Sequence, residues 1–555
     1  KRGHDSSCFD FNIELYNYCR EIGGEKKWLD NEKYGSWHEE GHVLGLMERF
    51  KSYIDRLMER VLDAKSPVIG FTIYSMSSIF SCEFARIIKE KAPDKAIIFG
   101  GSECFRSFSG MDILFKKSWI DAICFGEAEE CLPNLLDKMD RSNDIQRCEG
   151  FAYRDTVGNI VDCGNPPLAN NLDSLPFADF SHFDLAKYTE NKLPIMTSRG
   201  CIKRCVFCKE STHWRKYYYR DANVVYSEMT YQLNRYPSIR EFWFNDSLLN
   251  GNIEMLDELS NLIIKNPLYI KWGGQAVIRE EMTRVFLDKL RTAGCSTLIY
   301  GLETGSENIL KLIRKGYTVE TAEQVIQDTC ESGIRVSFNI IVGFPGEAEA
   351  EFQETVGFIK KNKKYAQSIM LNPLYLYIDS EMHNNKEKFG IVFTEGFDNN
   401  IYWRTVDNSN NYEERMRRLK ICKEIIGENV STDLDKFSTK EKILKWHLHN
   451  SCQYRCPYCR LRGKWHQIKK LNTYLSPQEW MVHWKRLYDR YGSIRVEITG
   501  GEPFIYPDFI ELIKELSLIH KVKITTNMSG DIETFVREIS PERVNLDLNL
   551  HPLFV

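Results

Sequence analysis

At 555 residues the chain is too long for one ordinary domain; at roughly 150 residues per domain it should hold three or four. Its composition, 43% hydrophobic, 12% aromatic and 27% charged, excludes a disordered or fibrous chain. Seventy-four Lys and Arg against 78 Asp and Glu leave a net charge of −4, which gives no overall reason to expect a nucleic-acid or anionic-membrane partner.

In chain order, "SSCFDFN" (residues 6–12) reads as a short strand, and the strand and helix that should precede it are missing. "VIGFTIYS" (Val68 to Ser75) reads as a buried strand, followed by a helix over "SCEFARIIKEKAP" that Pro93 ends. Two more strands, "KAIIFGG" and "DAICFGEAEE", stop at Gly100–Gly101 and Gly126–Glu127. Apolar strands separated by helices read as a parallel sheet covered on both faces, a doubly wound α/β domain over residues 1–145. Such sheets bind ligands at the carboxyl ends of their strands. Ser75, Ser77, Ser78, Gly100, Gly101, Gly126 and Glu127 fall there.

Residues 146–192 are Pro-bearing and mixed, a linker with one strand-like run near Phe151. Over 193–375 six strands recur: "PIMTSRG", "IREFWFND", "YIKWGGQAV", "STLIYGLE", "RVSFNIIVGFPG" and "SIMLNPLYLY". Strand–helix units of roughly 30 residues are the pattern of a (βα)6 partial TIM barrel. Residues 376–440 read as an irregular extension with one charged helix at "YEERMRRLKICKEI". From 441 the order restarts with "ILKWHLH", "RVEITGG", "KVKITTN" and "RVNLDLNL", a second barrel that is incomplete by residue 555. No apolar run approaches the roughly 18 residues that a membrane-spanning helix needs.

Of the 17 cysteines, six fall into two groups of identical spacing, Cys201/Cys205/Cys208 and Cys452/Cys456/Cys459, each just after the first strand of a barrel repeat. The other eleven read as small buried hydrophobes. The odd total and the lack of a signal peptide point to a reducing, cytoplasmic setting. Three thiolates on one short loop suit a 4Fe–4S cluster with one iron left open. Tetrahedral zinc is the other reading, with His213 as fourth ligand of the first group and His447, His449 or His466 of the second. The cysteine spacing repeats and the histidine positions do not, which favours iron.

The repeated CxxxCxxC, with Phe207 and Tyr458 before each third cysteine, resembles the radical S-adenosylmethionine superfamily. In the second copy "TGGEP" (Gly500, Gly501, Glu502) and "TTN" (Asn527) are similar to that family's strand-2 and strand-3 ends. In the first copy "FND" (Asn245, Asp246) departs from GGE. It resembles the subgroup with an N-terminal cobalamin-binding domain, as do "GLETGSENILKLIRKG" (Glu303) and "NIIVGFPGE" (Asn339). The resemblance implies two 4Fe–4S clusters, S-adenosylmethionine and cobalamin. Phe207, Asn245, Asp246, Gln275, Glu303, Asn339, Tyr458, Gly500, Gly501, Glu502 and Asn527 would contact S-adenosylmethionine, and the seven strand-end residues above would contact cobalamin. It implies reductive cleavage of S-adenosylmethionine to a 5′-deoxyadenosyl radical, with methyl transfer to an unactivated centre as the expected reaction and cyclisation or rearrangement as others in the subgroup.

Such chemistry calls for a small-molecule or peptide substrate, an electron donor such as flavodoxin or ferredoxin, and an anaerobic or protected compartment. The D-x-H-x-x-G loop of other cobalamin proteins is absent. A methylthiotransferase would need a different N-terminal domain with its own cysteine triad. Two further readings remain: the same radical initiation without cobalamin, and a zinc-knuckle binding protein in which "HWRKYYYR" stacks on nucleic acid. "WRKYYYR" and "NNIYWR" are candidate substrate contacts.

Overall fold

Strand alternation explains the first sheet. In a computed structural model its order is β1 (Val68–Thr72), β2 (Ala96–Gly100), β3 (Ala122–Cys124), β4 (Phe151–Arg154) and β5 (Ile160–Asp162). The structure describes all residues except 1–2, 22–36, 105–110, 112, 114–115, 143–147, 156, 168–170, 189, 211–213, 215, 394–399, 428–429, 432–442, 453–473, 492, 542 and 549–555. Strands β1 to β3 are parallel, and β4 and β5 are antiparallel. Ile97, Phe99 and Ile123 pack on helices Phe11–Glu21, Glu40–Arg49, Lys51–Asp63 and Ser78–Lys91. Their neighbours Ile98, Ala122 and Cys124 turn to the other face, against Cys131 and Leu135 of the helix Cys131–Ser142. The period of two therefore buries both faces, as read from the sequence.

Three expectations for this region are corrected. "SSCFDFN" is not a strand; residues 6–10 carry no regular secondary structure, and Phe11 opens a helix that buries Leu15, Tyr16 and Cys19 at helical spacing. "VIGFTIYS" is not fully buried, because β1 is the edge strand among the described residues, with Gly70 and Thr72 exposed. Residues 151–162 are not linker but β4 and β5, joined by a turn in which Asp155 accepts from Val157 N–H and Asn159 N–H.

The second sheet has β6 (Leu193–Ile195), β9 (Glu241–Phe244), β10 (Lys271–Ala276), β11 (Cys295–Glu303), β12 (Arg335–Val342) and β13 (Ala366–Pro373) as parallel neighbours in sequence order. These are the six strands expected. A seventh, β16 (Val430–Ser431), adds beside β13 from the stretch read as irregular. That stretch also forms the hairpin of β14 (Ile391–Val392) and β15 (Arg404–Thr405), and the helix Tyr412–Ile426. Phe242, Phe244, Trp272, Leu298, Tyr300, Phe338, Ile340, Ile369 and Leu371 point into the core shared with the helices. Their neighbours along each strand, among them Gln275 and Asn339, turn to the opposite face.

The chain forms two compact units, Lys1–Lys436 and Phe437–Val555. The latter holds four parallel strands in order, β17 (Ile443–His447), β18 (Arg495–Thr499), β19 (Lys521–Thr526) and β20 (Val544–Leu548), as expected. Its own core contains Trp446, Trp484, Ile498, Leu512 and Ile524. Among the described residues no helix is long and apolar enough to cross a membrane.

Candidate active site

The first cysteine loop begins where β6 runs into the two-residue strand β7 (Ser198–Arg199), paired with β8 (Tyr218–Tyr219). The chain turns at Gly200, whose φ is +78° and where an added Cβ would lie 2.4 Å from the Lys216 carbonyl oxygen. Only glycine fits such a position. Cys201 and Cys208 are half-buried and Cys205 is buried. Cys208 N–H donates to the Cys205 carbonyl at 3.1 Å, and Val206 N–H to the Ile313 carbonyl at 3.3 Å. Cys205, Val206 and Phe207 pack with Ile309, Ile313 and Phe344.

Burial pushes all three thiols up, Cys208 to about 12, while Lys203 and Lys315 pull Cys201 and Cys205 the other way. Three thiols on one loop, with cations beside them to favour thiolates, suit an iron–sulfur cluster. Among the described residues no three His, Cys, Asp or Glu side chains form a group that could hold a single metal ion. His213 lies outside the described residues.

At the strand-2 position the two candidate residues separate. Asn245 is exposed, and its N–H donates to the Ile195 carbonyl at 2.8 Å. Asp246 is buried and accepts from Thr197 N–H at 2.8 Å, Ser198 N–H at 2.9 Å and the Thr197 hydroxyl. Its carboxylate braces the start of the cysteine loop through Thr197 and Ser198. Burial pushes Asp246 up to about 6 against these hydrogen bonds. The folded state therefore keeps the proton to higher pH than an ordinary carboxyl near 3.9. That contribution to stability is complete below about pH 4 and is lost as pH rises through about 6. Asp246→Asn should abolish this slope and, by leaving a buried donor unmatched, lower stability by about 1–3 kcal/mol. Urea denaturation of both proteins across that pH range checks it.

The strand-4 carboxylate, Glu303, is buried with a left-handed backbone (φ +80°). Lys315 Nζ donates to Glu303 Oε1 at 2.8 Å and to the Gly301 carbonyl at 2.9 Å. Tyr317 donates its hydroxyl to the Leu302 carbonyl at 2.7 Å. Sequence reasoning missed Lys315; only its place in "LIRKG" beside the Glu303 motif pointed to it. Gln275 is exposed at the end of β10. Asn339 Oδ1 is a buried oxygen without a hydrogen-bond partner among the described residues. Such an acceptor is costly unless a ligand supplies a donor.

At the N-terminal sheet the strand-end residues do collect at one edge. Ser75 Oγ lies 3.4 Å from His38 Nε2. Ser77 is committed to its own turn, accepting from Tyr74 N–H at 3.0 Å and donating to the Tyr74 carbonyl at 3.2 Å. Ser78 opens the following helix, Gly100 ends β2, and Gly101 and Gly126 make the turns. Buried Glu127 pairs with Arg199 at 3.3 Å, and Glu129 pairs with the same guanidinium. Lys209 lies 3.8 Å from Glu103. Arg199 precedes Cys201 by two residues and Lys209 follows Cys208, so both flanks of the cysteine loop are ion-paired to this edge.

The second cysteine loop is described only at Cys452, which is half-buried; Cys456, Tyr458, Cys459 and His466 lie outside the described residues. Its strand-2 glycines lie close against the backbone of His449 and Ser451. Gly500 has φ +139°, and a Cβ on Gly501 would sit 1.7 Å from the Ser451 carbonyl oxygen. Glu502, 1% exposed, accepts from the Thr526 hydroxyl at 2.7 Å, Phe504 N–H at 3.2 Å and Asn527 N–H at 2.8 Å. Asn527 Nδ2 lies 4.0 Å from Cys452 Sγ. His449 donates from Nε2 to the Glu502 carbonyl and accepts Ser451 N–H at Nδ1, so both ring nitrogens are engaged.

In the aromatic segments Tyr217 packs on Gly251, Tyr218 and Tyr219 form β8, and Arg220 pairs with Glu228 at 2.5 Å. Trp403 is fully buried, with the Arg415 guanidinium 3.9 Å from its ring centroid.

The Radical SAM superfamily model matches residues 195–359 and 446–550. The chain is 26% identical over 312 residues to an uncharacterized methyltransferase of Pyrococcus horikoshii, covering 55% of this chain and 67% of that protein. It is also 26% identical over 314 residues to the anaerobic magnesium-protoporphyrin IX monomethyl ester cyclase of Rubrivivax gelatinosus, covering 54% and 55%. The matches thus span between about half and two thirds of these relatives' lengths. A radical S-adenosylmethionine methyltransferase from Kitasatospora setae, solved with cobalamin and a 4Fe–4S cluster bound, shares the fold. Its TM-score is 0.54 at 18% identity, over 69% of this chain and 84% of that one.

Proposed function

Because this chain belongs to the radical SAM superfamily, we propose that it is a tandem radical S-adenosylmethionine enzyme whose first module works with cobalamin to transfer a methyl group to an unactivated carbon or phosphorus centre of a small molecule or peptide. The observation that carries this reading is the pair of ionic ties from Arg199 to Glu127 and Glu129, and from Lys209 to Glu103. They hold the ligand-binding edge of the N-terminal sheet against the loop of Cys201, Cys205 and Cys208, as methyl transfer between two cofactors requires.

When bound, the cluster supplies one electron for cleaving S-adenosylmethionine, and cobalamin carries the methyl group. The protein's part is to bind and orient. Cys201, Cys205 and Cys208 hold the first cluster, and Cys452, Cys456 and Cys459 a second. Asn339 Oδ1 offers an acceptor, while Asn245, Gln275 and Glu303 stand at the ends of neighbouring strands. Ser75, Gly100, Gly101, Gly126 and Glu127 form the edge against which cobalamin rests.

Iron, zinc and cobalt counts on anaerobically reconstituted protein test the reading. About eight irons and one cobalt per chain are expected. Full iron without cobalt would move the assignment to a cobalamin-independent enzyme. Two zincs and no iron would end it.

A further inference from the structure

We propose that Lys315 is a positioning residue of the first site: its buried ammonium locks the Glu303 carboxylate and raises the reduction potential of the cluster held by Cys201, Cys205 and Cys208. The inference rests on the cluster assignment above.

Lys315 is 5% exposed; Nζ donates to Glu303 and to the Gly301 carbonyl, and stands 5.8 Å from the centre of the Phe207 ring. Phe207 is the residue before Cys208, so one ammonium contacts both the cysteine loop and the end of β11. Stability does not explain this pair, since a buried ion pair is often no better than apolar residues of similar shape. Nor is the backbone relaxed around it. Glu303 and Arg314, the latter next to Lys315, both take left-handed conformations, at φ +80° and +71°. Strain of this kind persists where surrounding contacts hold it, commonly at functional sites.

Away from water a charge acts strongly on its neighbours. The charged groups facing the cysteines are Lys315, Lys203, Glu303 and Glu210. Lys315 acts on both Cys201 and Cys205, and on Cys205 it outweighs Glu303. Gaining an electron makes a cluster more negative, so a fixed cation beside its ligands favours the reduced form. Removing that cation should lower the potential.

The test uses the full chain, reconstituted anaerobically, in a Cys456→Ala background so that only the first cluster reports. Redox titration followed by electron paramagnetic resonance reads the midpoint. Lys315→Met should shift the oxidised–reduced equilibrium at least tenfold toward oxidised, 59 mV for a one-electron couple. Lys315→Arg should recover most of the shift. If Lys315→Met does not fold, Lys315→Met/Glu303→Gln leaves no unpaired charge and should still shift in the same direction. Four irons retained with an unmoved midpoint in these variants overturns the role of Lys315. A parent protein that takes up no iron at this site overturns the cluster assignment instead.

Discussion

Replacing Cys205 with Ala should halve the iron of the reconstituted chain, from about eight to about four, and abolish S-adenosylmethionine cleavage at the first site. The loop offers three thiols, and two cannot hold a cluster that needs three protein ligands. The fold should survive. Cys205 is 8% exposed among Val206, Ile309, Ile313 and Phe344, and deleting one sulfur from such a cluster should cost about 1 kcal/mol. Cys295→Ala is the matched control, because Cys295 is wholly buried in the helix-side core of the second sheet, where burial pushes its thiol up against the opposing effects of the Thr297 backbone and Arg291. It should lose similar stability and no iron. Iron analysis and 5′-deoxyadenosine release decide the matter; unchanged iron in Cys205→Ala would remove the loop from the active site.

The second large effect is expected at Arg199. Its guanidinium and Glu127 are each less than a tenth exposed, and Glu129 shares the same partner. Arg199→Met would leave a buried carboxylate without its counter-ion, which costs about 3–5 kcal/mol. Adding Glu127→Gln should restore most of that, since the penalty belongs to the uncompensated charge rather than to the lost attraction. Denaturant unfolding measures this part. Cobalamin binding measures the other: if the proposed site is right, affinity should fall at least tenfold in the single variant, because the edge proposed to receive the cofactor is no longer tied to the start of the cysteine loop. Lower stability with unaltered cobalamin affinity would mean that the ion pairs only glue two parts of the molecule together.

Features with a short sequence range were legible. The six strands of the second sheet and the four of the last unit show as apolar runs at even spacing, and the two cysteine loops show as repeated trios. What escaped depends on chain brought together from afar. Arg199 meets Glu127 only because the edge of one sheet abuts the start of another. Lys315 meets Glu303 only because the chain reverses after the short helix Glu307–Ile313 and returns to the end of β11. Strands β4 and β5, of four and three residues, are too short for a period of two to stand out. Asp246 stands out in the sequence by its place in a motif, while its bracing of Thr197 and Ser198 depends on chain 48 or 49 residues away. Glu502 does the same in the last unit, against Thr526 and Asn527.

The tight approach at Gly501 has an evolutionary consequence. With the Ser451 carbonyl oxygen 1.7 Å from where a first side-chain carbon would sit, any heavier residue forces the backbone to move. Selection for folding alone would therefore keep that glycine in every descendant of this chain, including one whose second cysteine loop had ceased to hold iron. Its persistence through a lineage would be a record of packing. The history of cofactor use would have to be read instead from the cysteines.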